Sequence, residues 1–69
     1  MTNIIEKITN LMKSNNVEYM VSKEGNITSI NFYNNIDHIE DNIIDILREA
    51  QDNNIRSYFY NIKIDIFEN

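Results

Sequence analysis

The stretch DHIEDNIIDILREAQD, Asp37 to Asp52, holds six carboxylates, one arginine and the only histidine of the chain. Carboxylates at this density could ligate a metal ion, serve as a general acid or base, or form an anionic surface for a cationic partner. Asp37, Asp41 and Asp45 recur every fourth residue. On a helix this spacing places them along one side, with about 6 Å of rise between steps.

The residue types do not favour a metal site or a catalytic site. His38 with Asp41 or Asp45 would form an exposed, carboxylate-rich set that matches none of the common ligand sets. We interpret His38 as a surface residue near a helix start. A single glycine excludes a glycine-rich phosphate loop, and no nucleophile lies in a recognisable strained turn. The sequence therefore predicts a protein that is not an enzyme and has no metal and no cofactor.

The position of the net charge is the strongest functional signal. The chain carries a net charge of −5, and residues 36–54, where six carboxylates oppose Arg48, account for all of it. Carboxylates in the first turns favour the helix dipole, but those toward the end do not. A solvated surface that keeps the protein soluble is the simpler explanation, and a partner-binding surface is the other. The predicted partner-binding residues are Asp37, Asp41, Asp45, Glu49 and Asp52.

Two segments have the apolar period of amphipathic helices. The first runs from Thr2, its predicted N-cap, to Ser14 and places Ile4, Ile5, Ile8, Leu11 and Met12 at helical spacing. The second spans 36–54, with an apolar stripe of Ile36, Ile39, Ile43, Ile46, Leu47 and Ala50. Asn34 or Asn35 can cap its start. Asparagine tolerates the left-handed conformation that closes helices, so 14–16 and 52–54 predict the two helix ends.

The only glycine, Gly25, predicts a hairpin between Val17 and Tyr33. Either a loop of Glu24 and Gly25 or a four-residue loop from Lys23 to Asn26 gives one register, in which Lys23 faces Asn26. The apolar pairs on one side of the ribbon are then Val21 with Thr28, Tyr19 with Ile30, and Val17 with Phe32.

The last segment, Ser57 to Phe67, alternates strictly and predicts one long strand. Tyr58, Tyr60, Ile62, Ile64 and Ile66 would share one face, and Phe59, Asn61, Lys63, Asp65 and Phe67 the other. The resulting α-β-β-α-β order predicts an α+β fold: a three-stranded, mainly antiparallel sheet, order 2-1-3, with both helices on one face. Order 1-2-3, with a parallel pair, is the alternative. We find no internal repeat in the sequence.

Size and composition predict one domain over residues 1–69, near the lower limit for an independent apolar core. The chain has no cysteine for a disulfide or a thiolate metal site, and no apolar run long enough for a membrane span or a leader. We expect a cytoplasmic protein that does not bind membranes. The 14 isoleucines and 13 asparagines are typical of an A/T-rich genome.

In general character the chain is similar to the small, acidic, cysteine-free proteins that phages and mobile elements use against host nucleic-acid machinery. On this basis we expect an inhibitor, of the anti-CRISPR or a similar kind, that presents the carboxylates of 36–54 to a basic, nucleic-acid-handling protein. For a phage product, the cytoplasm would be that of the host cell. An immunity protein or antitoxin that binds a basic toxin would have the same chemistry. Direct nucleic-acid binding is disfavoured, because six cations face eleven carboxylates.

A structural or assembly role, with a homodimer formed through the open sheet face, is the alternative. The residues of this possible second interface are Met20, Tyr33, Phe59 and Phe67, with Ile27 beside them. The long last strand would overhang its neighbours by roughly a dozen ångströms. We expect this overhang to pair with a second copy or with a partner's edge, unless the strand bends near Asn61.

Overall fold

The computed structural model describes residues 3–68 and shows a two-layer α+β architecture. In chain order its elements are α1 (Ile4–Ser14), β1 (Tyr19–Glu24), β2 (Ile27–Phe32), a 3₁₀ turn (Asp37–Ile39), α2 (Glu40–Asp52), β3 (Arg56–Phe59) and β4 (Lys63–Phe67). The strands form one sheet in the order β1-β2-β4-β3, and every neighbouring pair is antiparallel. The predicted small α+β fold is confirmed, but the three-stranded sheet of order 2-1-3 is wrong. No helix in this part of the chain is long and apolar enough to cross a bilayer.

Helix α1 begins where Asn3 caps it. The Asn3 side chain accepts hydrogen bonds from the backbone N–H groups of Ile5 (2.9 Å) and Glu6 (3.4 Å), two donors that have no partner inside the helix. The predicted cap, Thr2, lies outside the described residues. Because apolar residues recur at helical spacing, α1 buries one face, with Ile8 and Met12 fully inaccessible.

The first hairpin turns one residue later than predicted. Glu24 pairs with Ile27, so Gly25 and Asn26 form the loop, and Gly25 has a φ of 62° at its first position. This is the conformation that favours glycine in a two-residue type II′ turn. The predicted pairing of Lys23 with Asn26 is wrong by two residues, because Lys23 pairs with Thr28. A two-residue shift keeps each side chain on its predicted face.

The predicted long last strand is two strands. Residues 60–62 form a tight turn, closed by a hydrogen bond from the Tyr60 N–H to the Lys63 carbonyl (2.8 Å), and β4 folds back between β3 and β2. A single eleven-residue strand would leave unpaired backbone beyond its shorter neighbours, whereas the fold-back pairs that backbone with β3. The predicted overhang is therefore wrong, and the chain bends near Asn61.

The fold-back also changes which residues of the segment face the core. Phe59 pairs with Ile64 on the core side, and its ring packs edge-on against Phe32 at 6.4 Å. Tyr58 and Tyr60 lie on the other side and are half exposed. The prediction that Tyr58 and Tyr60 share a face with Ile64, and Phe59 the opposite face, is wrong because the turn shifts the alternation.

Both helices cover one face of the sheet. The core-facing side chains of β2 and β4 join those of α1 and α2 in a single apolar cluster. Its buried members are Ile4, Ile8, Met12, Val17, Ile30, Phe32, Ile36, Ile39, Ile43, Ala50, Ile64 and Ile66. Each fully buried isoleucine contributes about 1.5–3 kcal/mol of transfer free energy. The other face of the sheet, which we call the open face, carries no helix among residues 3–68.

The structure consists of two αββ units that the sequence did not reveal as a repeat. The first unit is α1-β1-β2 and the second is α2-β3-β4. In the sheet, β2 and β4 pair at the centre, and β1 and β3 form the two edges. In the β2–β4 ladder Ile30 pairs with Ile64, and neither residue has exposed surface.

The helix ends of the two units match in detail. Asn16 (φ 59°) and Asn54 (φ 65°) are left-handed, and the next residues, Val17 and Ile55, donate to helix carbonyls at 2.9 and 3.0 Å. The side chains of Asn15 and Asn53 donate to the carbonyls four residues earlier, at 2.8 and 2.9 Å. Both predicted helix ends are confirmed, and they share one capping geometry.

Candidate functional site

Helix α2 presents its carboxylates to solvent because its opposite side is anchored in the core. Ile43 is fully buried and Ala50 nearly so, which fixes the rotation of the helix. Asp41, Asp45 and Asp52 point outward and are exposed. Asp41 and Asp45 are four residues apart, and like charges at that spacing destabilise a helix by a few tenths of a kcal/mol.

The predicted column of three aspartates is interrupted at its start. Helix α2 begins at Glu40, and Asp37 belongs to the preceding 3₁₀ turn, where its N–H donates to the Asn35 side chain at 2.7 Å. The predicted start of the helix at Ile36 is therefore wrong by four residues. Asp37 is exposed but lies outside α2, which carries Asp41 and Asp45.

Glu49 differs from the other predicted carboxylates because it has a cationic partner. Its Oε1 atom lies 3.3 Å from the Nζ atom of Lys7 on α1. This ion pair turns Glu49 toward the groove between the helices, which is lined mainly by Ile4, Ile46 and Ala50. Glu49 therefore stabilises helix packing and contributes less than the aspartates to the free anionic surface.

Within residues 3–68, Asp37, Asp41, Asp45 and Asp52 make no ion pair within 4.0 Å. Arg48 is exposed between Asp45 and Asp52 in the helical order and also makes no ion pair among these residues. We call Asp41, Asp45 and Asp52 together with Asp37 the acidic surface. It consists of four exposed carboxylates that have no ion-pair partner among residues 3–68.

The residues predicted for a second interface do not all lie on the open face. Met20 and Tyr33 are each 61% exposed. Phe59 packs against the core with Phe32, so its assignment to the open face is wrong. Phe67 is half-buried on the open face, where the Arg56 guanidinium lies 5.3 Å from the centre of its ring.

A cluster of aromatic and cationic side chains on the open face was missed in the sequence. The Tyr58 ring contacts that of Phe67 edge-on (5.6 Å) and lies 6.4 Å from that of Tyr60. The Nζ atom of Lys63 is 5.4 Å from the centre of the Tyr60 ring. We call Arg56, Tyr58, Tyr60, Lys63 and Phe67 the aromatic–cation patch. The asparagine at position 61 was the only sequence signal for the turn that brings these residues together.

No three or more His, Cys, Asp or Glu side chains of residues 3–68 lie where they could hold a metal ion together. His38 is exposed in the 3₁₀ turn. No protein-family model, no curated protein and no solved structure matches this chain.

Proposed function

We propose that this protein is a non-enzymatic protein-binding module, an inhibitor of the phage or mobile-element kind, that presents the acidic surface to a basic, nucleic-acid-handling protein. The observation that supports it is the set of exposed carboxylates on and before α2 that have no ion-pair partner among residues 3–68. Helix α2 is anchored in the core by Ile43 and Ala50, and the preceding 3₁₀ turn by Ile39.

The chemistry of the surface suits a competitor of nucleic acid. Asp41 and Asp45 stand about 6 Å apart along the helix, so they present two negative charges on one side of it. A basic cleft that holds phosphates with Lys and Arg can hold such carboxylates in their place. The net charge of −5 also increases the rate of encounter with a basic surface at low salt. An immunity protein for a basic toxin would use the same surface and differ only in its target.

The test is a triple variant, Asp41→Asn, Asp45→Asn and Asp52→Asn, measured for binding to the protein that co-purifies with the parent. We expect affinity to fall at least tenfold at low salt and its salt dependence to flatten, because exposed charges act through screened electrostatics. The fold should be retained, because the three side chains are exposed.

The matched control removes three exposed carboxylates elsewhere by Glu6→Gln, Glu18→Gln and Glu24→Gln. Both variants have the same net charge, so a difference between them reports position rather than total charge. Equal affinity of the two variants for the partner would exclude the acidic surface as the binding site.

A further inference from the structure

The two αββ units provide an internal comparison for the open face. Asn16 and Asn54 are in the left-handed conformation at the matching helix ends. Residues at the same distance after Asn16 and after Asn54 therefore occupy corresponding positions in and around β1 and β3. Counted from the central pair of Ile30 and Ile64, positions on β2 correspond to positions on β4. The corresponding open-face pairs are Glu18 with Arg56, Met20 with Tyr58, Ser22 with Tyr60, Ser29 with Lys63, Asn31 with Asp65, and Tyr33 with Phe67.

The same scaffold positions carry different chemistry in the two units. The first unit has one aromatic residue and no cation at these six positions, whereas the second has three aromatic residues and two cations. The core positions Ile30 and Ile64, in contrast, are identical and equally buried. The first unit pairs its strands in the corresponding register without such a cluster, although its hairpin extends further, to the turn at Gly25. Strand pairing alone therefore does not explain the aromatic–cation patch.

The patch has the residue types of a protein-binding surface. Tyr and Arg are the side chains most enriched at binding hot spots. Tyr58 and Tyr60 are each 48% exposed, which leaves ring surface available for contact. Asp65, the one carboxylate among these positions, has a side chain only 14% exposed and accepts a hydrogen bond from Ser29 Oγ at 2.6 Å. Its Oδ2 atom lies 3.6 Å from the Nζ atom of Lys63, so Lys63 is already paired. Arg56 is therefore the cation of the patch that has no ion-pair partner among residues 3–68.

We propose that the aromatic–cation patch docks an acidic polypeptide segment, whose carboxylates contact Arg56 while its apolar side chains lie on Tyr58 and Tyr60. Charge complementarity selects a carboxylate partner. Single-stranded nucleic acid has the same sign of charge but needs a row of cations, and three of the six cations of the chain, Lys7, Lys23 and Lys63, lie within 4.0 Å of carboxylates.

This docking site is independent of the proposed function. The patch lies on the open face and the acidic surface lies on the outer side of α2, with the sheet and the core between them. Exposed charges this far apart are largely screened at physiological salt, where the Debye length is about 8 Å. The protein can therefore engage two partners of opposite charge at once, as an adaptor.

The test is selection of a random dodecapeptide display library on the full chain. The comparison variant gives the second unit the residues of the first, through Arg56→Glu, Tyr58→Met and Tyr60→Ser. The single variant Tyr60→Ser at the strand end repeats the comparison with minimal change to the fold, and both are checked by circular dichroism and urea denaturation.

We expect the parent to enrich peptides with at least twice the Asp and Glu content of the unselected library, together with apolar residues. A synthetic peptide of the enriched sequence should bind the triple-substituted variant at least tenfold more weakly than the parent. The variant with Asp41→Asn, Asp45→Asn and Asp52→Asn should bind it like the parent, which separates this site from the acidic surface.

Three results would overturn the proposal. The first is a failed selection. It would show no enrichment in Asp and Glu, enrichment in Lys and Arg instead, or the same peptides bound by the parent and the triple-substituted variant. The second is tighter binding of labelled dT12 than of the peptide in fluorescence anisotropy, which would assign the patch to nucleic acid. The third is a concentration-dependent dimer in sedimentation that the triple substitution abolishes, which would assign the patch to a second copy.

Discussion

Lys7 of α1 and Glu49 of α2 form an ion pair, with 3.3 Å between Nζ and Oε1, and so connect the two helices above the core. Both side chains keep substantial exposure, which limits the contribution of the pair to stability to about 0.2–1 kcal/mol. The pair also distinguishes Glu49 from the other four predicted partner-binding carboxylates.

We predict that Glu49→Gln lowers the free energy of unfolding by no more than about 1 kcal/mol, and less at high salt. Urea denaturation of Glu49→Gln, Lys7→Met and the double variant measures the coupling. The same Glu49→Gln variant should bind the partner of the acidic surface almost as well as the parent, whereas Asp45→Asn should weaken binding. If Glu49→Gln weakened binding more than Asp45→Asn did, the division between the two carboxylates would be wrong.

The second prediction uses two isoleucines of the last hairpin. Ile64 has no exposed surface, whereas Ile62, in the turn, is 66% exposed. Ile64→Ala should lower the free energy of unfolding by about 2–5 kcal/mol, because it leaves a cavity in the core. Ile62→Ala should change it by no more than about 0.5 kcal/mol. If urea denaturation showed equal losses of unfolding free energy for the two variants, both side chains would be in the core, as in one continuous strand.

The third prediction concerns the matched helix ends. Alanine at Asn16 or Asn54 should cost about 1–2 kcal/mol, because a Cβ without a polar group is strained at positive φ. Glycine at the same positions should match or exceed the stability of the parent. Asn42→Ala, on the exposed surface of α2, is the control and should not destabilise. The two alanine effects should add to within about 0.5 kcal/mol, since the caps share no partner.

The sequence predicted those elements whose period and end signals agree. Ile8 and Ile43 lie on apolar helical stripes, and the asparagines at 15–16 and 53–54 end both helices, so α1 and most of α2 could be identified. Gly25 located the first hairpin, and the acidic surface followed from the outward spacing of Asp41 and Asp45.

The missed features lack such agreement. The turn at 60–62 has neither glycine nor proline, and the residue types alternate across it without a break. The pattern therefore indicated one strand where the structure has two. That error placed Tyr58 in the core and Phe59 on the open face. As a result, the aromatic–cation patch was not predicted. The pairing of Glu49 with Lys7 depends on how two helices pack, which helical spacing within one element does not determine.

The arrangement of the two αββ units has a consequence for how the chain folds. Of the three strand ladders in the described residues, β1–β2 and β3–β4 are local hairpins, and β2–β4 joins distant segments. The entropic cost of closing a long loop arises mainly when the β2–β4 ladder forms, so we expect formation of this ladder, which includes the pair Ile30–Ile64, to limit the folding rate. The connection at residues 33–36 is also the one point at which two chains could exchange a whole unit and form a domain-swapped dimer with every ladder preserved.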